Sequence, residues 1–143
     1  MLDERQLTGR SDTHIREFQF ADGATFRAQP EAALAFLRMR EAATADGIDL
    51  RPASAFRSFD AQLTIWLRKW NGERPLYDAS GLLIDYATLN EAGRVSAILE
   101  WSALPGASRH HWGSEFDVFD FAAMPPDYRL QLLPNEYATD SGI

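Results

Sequence analysis

Ser108-Arg-His-His-Trp-Gly-Ser-Glu-Phe-Asp-Val-Phe-Asp120 places two histidines and three carboxylates within eleven residues. The chain has no cysteine and one other histidine, His14. Imidazole and carboxylate are the natural ligands of catalytic zinc, so this is where a metal would be sought. His110 and Asp117 are seven residues apart. That spacing suits one donor on the loop before a strand and one inside the strand, with Gly113 allowing a tight turn between them. Residues 116–121 partly alternate, which predicts a strand. Asp117 there faces opposite to Phe116 and Val118, so the apolar neighbours enter the core and the carboxylate does not. Spacing alone also fits a polar loop whose His and Asp make ordinary hydrogen bonds.

Upstream, Ser54-Ala-Phe-Arg-Ser-Phe-Asp-Ala-Gln62 carries a predicted strand into a predicted helix. It brings Arg57 to the helix mouth, with Ser58 as N-cap and Asp60 in the first turn. The planar guanidinium fork suits a carboxylate, and free N–H groups at the helix start favour an anion. The competing reading is a surface arginine that caps local carbonyls.

The rest of the chain reads as α+β. Pro30 to about Asp46 predicts a helix with Gly47 at its C-terminal end. Residues 48–56 predict a strand that Pro52 restricts to an edge or a bulge. Ser58–Trp70 predicts a helix whose Phe59, Leu63, Trp66, Leu67 and Trp70 form one apolar stripe, expected to enter the core. Residues 15–20 and the turn after them suggest a strand or hairpin, and residues 71–87 a long excursion. Thr88 and Glu91 form a capping-box pattern ahead of a helix reaching Trp101. Helices and strands without a βαβ rhythm imply helices packed on a small, mostly antiparallel sheet.

The 143 residues suit one domain, 1–143, with 45% apolar and 24% charged residues. Net charge is −7, from 21 acidic and 14 basic residues. That balance argues against nucleic acid and anionic lipid as partners. No stretch is apolar enough to span a membrane and the N-terminal residues lack a signal-peptide pattern, so the sequence by itself suggests the cytoplasm.

The two segments together resemble a known family. Ser108, His110, Gly113 and Asp117 match Ser-x-His-x-x-Gly-x-x-x-Asp, and residues 55–62 resemble Gly-Tyr-Arg-Ser-x-x-x-Gln. Both belong to peptidase family M15, the VanY-type D-alanyl-D-alanine carboxypeptidases. Pro105 to Gly113 is similar to the variant of Gram-negative members, and the resemblance covers roughly residues 30–125. It implies an M15/hedgehog-like zinc peptidase fold, with Zn2+ held by His110 and Asp117. It further implies that Arg57 binds the terminal carboxylate of a peptidoglycan-derived peptide ending in D-Ala, with Ser108 and Gln62 shaping the site. The reaction implied is zinc-assisted amide hydrolysis near the C-terminus of the stem peptide, and the compartment implied is the periplasm or cell envelope. His111 is expected to support or pack, Trp112 to wall the cleft or pack in the core, and His14 to lie on the surface.

The chain departs from the pattern at one place. The family's Glu-x-x-His, which supplies the general base and third zinc ligand, has no counterpart: three residues after Glu136 stands Thr139. The catalytic base is therefore unknown. The expectation is a C-terminally incomplete chain that hydrolyses poorly, with an exposed sheet edge favouring dimerisation. The alternative is a non-catalytic peptide- or cell-wall-binding module on the same fold.

Overall fold

The computed structural model describes residues 1–137. Helix α1 (Glu4–Leu7) sits under an Asp3 capping box and precedes a hairpin of β1 (Arg16–Gln19) and β2 (Thr25–Ala28). Then come α2 (Pro30–Ala45), β3 (Leu50–Ser54), α3 (Phe59–Trp70) and a short hairpin of β4 (Leu76–Tyr77) and β5 (Leu83–Ile84). Helix α4 (Glu91–Trp101), β6 (Asp117–Asp120) and α5 (Pro134–Tyr137) complete the order. The described strands form three antiparallel pairs, β1–β2, β3–β6 and β4–β5. The class is α+β, and the antiparallel sheet is divided into ribbons.

The core is an aromatic cluster between the first hairpin, α2 and β6. Phe20, Phe26, Ala28, Ala33 and Phe36 are buried, and Phe18, Leu50, Phe116 and Val118 pack against them. Phe36 stacks on Phe116 with centroids 5.1 Å apart, and Phe26 meets Phe36 edge-on at 5.6 Å. Burying each such ring is worth roughly 1.5–3 kcal/mol, so Phe116 and Val118 hold β6 firmly by one face. Strand alternation then turns Asp117 to the other face, into a cleft.

Pro52 sits in β3, where it cannot donate a ladder hydrogen bond. The register of β3 on β6 shifts between Pro52 and Ser54, which brings Ser54 opposite Asp117. The bulge therefore aims the chain entering Arg57 at the carboxylate of β6.

Three expectations need correction. The apolar stripe of α3 is not core: Leu63 and Leu67 are 36% and 50% exposed, Phe59, Trp66 and Trp70 are half-buried, and the fully buried residue of this helix is Gln62. The polar face turns inward because it holds the site together, as described below. Helix α4 is capped by Asn90, whose Oδ1 accepts from the Gly93 N–H at 2.8 Å. Thr88 instead closes a 3-10 turn that Asp85 caps. Residues 71–87 contain the β4–β5 pair, too short for period-two alternation to show.

Gly113 has φ +70°, and a Cβ there would lie 2.2 Å from Ile15 Cδ1 and 3.2 Å from the Gln29 amide nitrogen. Gly113→Ala should combine left-handed backbone strain with overpacking and destabilise the fold by about 2–4 kcal/mol. Urea unfolding at pH 7 checks this, and a midpoint unchanged from the parent would refute the close approach.

Candidate functional site

An open cleft of about 1400 Å³ gathers Arg57, Ser108, His110 and Asp117 beside the end of β3. His110 lies in a 3-10 turn, Arg109–Trp112, and is 9% exposed. Its Nε2 is 3.1 Å from Asp117 Oδ2. The hydrogen bond from His110, with the charges of His110 and Arg57, holds the Asp117 carboxyl below the usual carboxylate range despite its partial burial. Two ligands at ~2.0–2.1 Å on a tetrahedral zinc stand roughly 3.3 Å apart, so this donor pair matches one edge of such an ion. Among the described residues, no group of three His, Cys, Asp or Glu side chains is placed to hold a metal.

Arg57 is oriented by two neutral acceptors. One terminal nitrogen donates to Gln62 Oε1 at 2.8 Å and the other to Ser54 Oγ at 2.6 Å. Neither neutralises the charge, and part of the five-donor fork stays unused. Burial pushes the guanidinium down from its ordinary value, with nearby Asp117 opposing. Gln62 is fully buried and fixed at its other end, where Nε2 donates to the Ala103 carbonyl at 2.6 Å. Trp66 Nε1 donates to that same carbonyl at 2.7 Å. Gln62 thus touches Arg57 from below, while Ser108, 4% exposed, lines the cleft beside His110.

His111 points away from the cleft. Its Nε2 accepts from the Gly106 N–H at 3.0 Å, so Nδ1 carries the proton and donates to the Arg57 carbonyl at 2.6 Å. Burial, opposed by this bond to the backbone, pushes the imidazole down. Gly9 closes over the ring: a Cβ there would lie 2.4 Å from His111 Nδ1. Trp112 is 39% exposed and does not border the cleft. His14 is half-buried and not a surface residue. It meets Phe56 edge-on at 6.1 Å, and its two ring nitrogens have no hydrogen-bond partner among the described residues. Glu136 is engaged locally, accepting from Tyr128 Oη at 2.6 Å and from the Gln131 and Leu133 N–H groups at 2.9 Å each. Thr139 lies outside the described residues.

Sequence reasoning missed two cations. Lys69, on the last turn of α3, donates from Nζ to Ser102 Oγ at 2.8 Å inside the cleft, and Arg74 lines the same wall. Burial, then Arg74 and Arg57, bring Lys69 down to about 8. Lys69 shares one face of α3 with Gln62 and Trp66 at helical spacing, a signal the sequence reading did not use, whereas Arg74 reaches the cleft only through the chain reversal after α3.

With the geometry in place, comparison with known proteins gives the family. The model of VanY, D-alanyl-D-alanine carboxypeptidase, matches residues 25–140, and the chain belongs to that family. A Haemophilus influenzae protein without an assigned activity is 36% identical over 103 residues, covering 72% of this chain and 70% of its own length. Among solved structures, VanYB in complex with D-alanine-D-alanine superposes with TM-score 0.55 at 22% identity, over 75% of this chain and 52% of that one. A vancomycin-resistance D,D-pentapeptidase VanY variant in complex with Zn(II) gives 0.54 at 21%, over 78% and 56%. The LD-carboxypeptidase LdcB gives 0.53 at 23%, over 77% and 44%. The chain spans about half the length of these structures, which share its zinc peptidase fold.

The unfolded chain holds the Lys69 proton up to the ordinary lysine value, whereas the folded chain releases it near 8. Unfolding free energy should therefore climb as pH rises from about 8 toward 10.5. Chemical denaturation of the parent and of Lys69→Met across that window checks this. The same slope in both proteins would refute the assignment to Lys69.

Proposed function

We propose that this cleft binds the C-terminal end of a peptidoglycan stem peptide and serves zinc-dependent D-alanyl-D-alanine carboxypeptidase chemistry. The observation that carries the reading is the placement of Arg57. An oriented, partly buried guanidinium without an ion-pair partner among the described residues borders the same cleft as the His110–Asp117 donor pair. Family membership and the shared fold support it. That VanYB was solved with D-alanine-D-alanine and a VanY variant with Zn(II) points to the same ligands here.

In this reading Arg57 pairs with the substrate's terminal carboxylate and fixes how far the chain enters the cleft. Such positioning is a main source of catalytic advantage. Ser54 and Gln62 hold the fork before substrate arrives, so little side-chain entropy is lost on binding. His110 and Asp117 would hold the zinc. Bound there, the metal would polarise a carbonyl and acidify a water. A third donor and the general base would come from outside the described residues.

Arg57→Ala should weaken binding of an acyl-D-Ala-D-Ala peptide by about 10–100-fold, the worth of a charge-assisted pair, and leave the C-terminally amidated peptide almost unaffected. Titration calorimetry reads both, and equal losses on the two peptides would overturn the role of Arg57. Elemental analysis of zinc-equilibrated protein tests the metal pair. His110→Ala and Asp117→Ala should each lower zinc per chain, and unchanged zinc in both would refute those ligands. Release of free D-Ala, followed by mass spectrometry, separates hydrolysis from binding alone.

A further inference from the structure

Residues 3–12 lie ahead of the family match, which begins at residue 25, yet they touch the residues that hold the cleft together. The turn is stiffened by its own bonds. The Thr8 hydroxyl donates to the Glu4 carbonyl at 2.8 Å, and the Arg10 and Ser11 N–H groups both donate to the Arg5 carbonyl, at 2.8 and 3.0 Å. Gly9, within this turn, is buried and has φ +73°. Its carbonyl accepts at 2.8 Å from the N–H of Phe59, the first residue of α3. That N–H belongs to a helix start, where the helix supplies no partner of its own. The Arg10 guanidinium covers the Phe59 ring at 3.9 Å.

The same glycine is packed against His111. A Cβ on Gly9 would overlap the imidazole and lie 2.8 Å from the Phe59 nitrogen. The ring is fully buried, donates to the Arg57 carbonyl and accepts from the Gly106 N–H. The Arg57 N–H donates in turn to the His110 carbonyl at 3.1 Å. A shift of the imidazole therefore reaches the Arg57 backbone through one hydrogen bond and His110 through a second. Close-packed interiors transmit such a displacement and do not absorb it.

We propose that the N-terminal turn is a positioning element of the cleft: Gly9 seats His111, and His111 sets Arg57 at its distance from His110. The inference rests on the reading of Arg57 as anchor of the terminal carboxylate. Gly9 and His111 are positioning residues and touch no substrate. Misplacing a positioning group by about 1 Å can cost on the order of 100-fold. The turn therefore governs how strongly the cleft prefers a free C-terminal carboxylate.

Two glycine substitutions in the full chain test this. Gly9→Ala inserts the clashing methyl. Gly23→Ala is the control, since Gly23 has φ +89° and a Cβ there meets nothing within 4 Å. It imposes the left-handed strain without touching the site. Titration calorimetry compares an acyl-D-Ala-D-Ala peptide with its C-terminal amide. Gly9→Ala should cut the parent's preference for the free acid by about tenfold, and Gly23→Ala should leave it within about twofold. An undiminished preference in Gly9→Ala overturns the proposal. Amide hydrogen exchange, followed by NMR, needs no peptide. Its internal reference is the Phe121 N–H, which donates to the Asp49 carbonyl at the end of the β3–β6 pair away from Arg57. In Gly9→Ala the Arg57 N–H should exchange about tenfold faster relative to that reference. A fold that is merely destabilised speeds both amides alike, and that result overturns the positioning role. If the parent binds acid and amide equally, the anchor reading fails by itself, and exchange then decides the role of the turn alone. Should Gly9→Ala not fold, Arg10→Ala, which removes the exposed cation above Phe59, is judged by the same two measurements.

Discussion

The site depends on one buried imidazole. His111 joins two segments distant in sequence, donating to the Arg57 carbonyl and accepting from the Gly106 N–H. The Arg57 N–H in turn donates to the His110 carbonyl at 3.1 Å, so the residues proposed as anchor and metal donor are tied backbone to backbone. The N-terminal turn is built onto the same ring: the Gly9 carbonyl accepts from the Phe59 N–H at 2.8 Å, and Gly9 has no room for a side chain above His111. An aliphatic residue of similar size would leave an amide and a carbonyl without these partners inside the protein, each costing about 1–3 kcal/mol. His111 is therefore the residue that fixes the distance between Arg57 and His110.

Around that tie, apolar and polar packing divide the work. The Phe26–Phe36–Phe116 cluster fixes β6 and with it Asp117, and non-directional burial suffices for a strand whose register is already set. Arg57 needs orientation as well as position, which only directional bonds supply. That is why α3 turns Gln62 inward and leaves Leu63 and Leu67 more exposed. A fully buried amide is unfavourable unless its groups are paired. Gln62 meets that condition by accepting from Arg57 and donating to Ala103. The helix gives up part of its apolar burial to make a rigid support for the cation.

These facts explain what the sequence made legible. Helices α2 and α3 were readable because Pro30, Gly47 and Ser58 mark their ends by local backbone chemistry. The bulge was foreshadowed by Pro52, and the opposite facing of Asp117 and Phe116 by strand alternation. Arg57, His110 and Asp117 could be singled out because their two segments together resemble one family's motifs; the spacing of either segment alone also fitted ordinary hydrogen bonds. The inward face of α3 was misread because periodicity identifies a stripe and not the surface it meets. The cap of α4 was misread because Asn90 and Thr88 both fit a helix start, and only the turn before the helix decides between them. The bonds of His111 and the arrival of Arg74 at the cleft are tertiary facts with no local signature.

Net charge gave the least guidance about the cleft. A chain at −7 suggests a protein that avoids anions, yet the cleft concentrates the cations and the acidic residues lie mostly elsewhere. Charges well outside the cleft are screened over about 10 Å in salt, whereas cations lining a concave, low-dielectric wall focus their field into it. The ligand therefore responds to the local sign, and the overall sign governs solubility and encounters with other large anions. An acidic exterior also discourages nucleic acid, whose many phosphates must approach over a wide area, without penalising a short peptide that enters the groove end-on. A peptide of the proposed kind would therefore meet the local positive charge of the cleft, whereas an extended polyanion would first meet the acidic exterior.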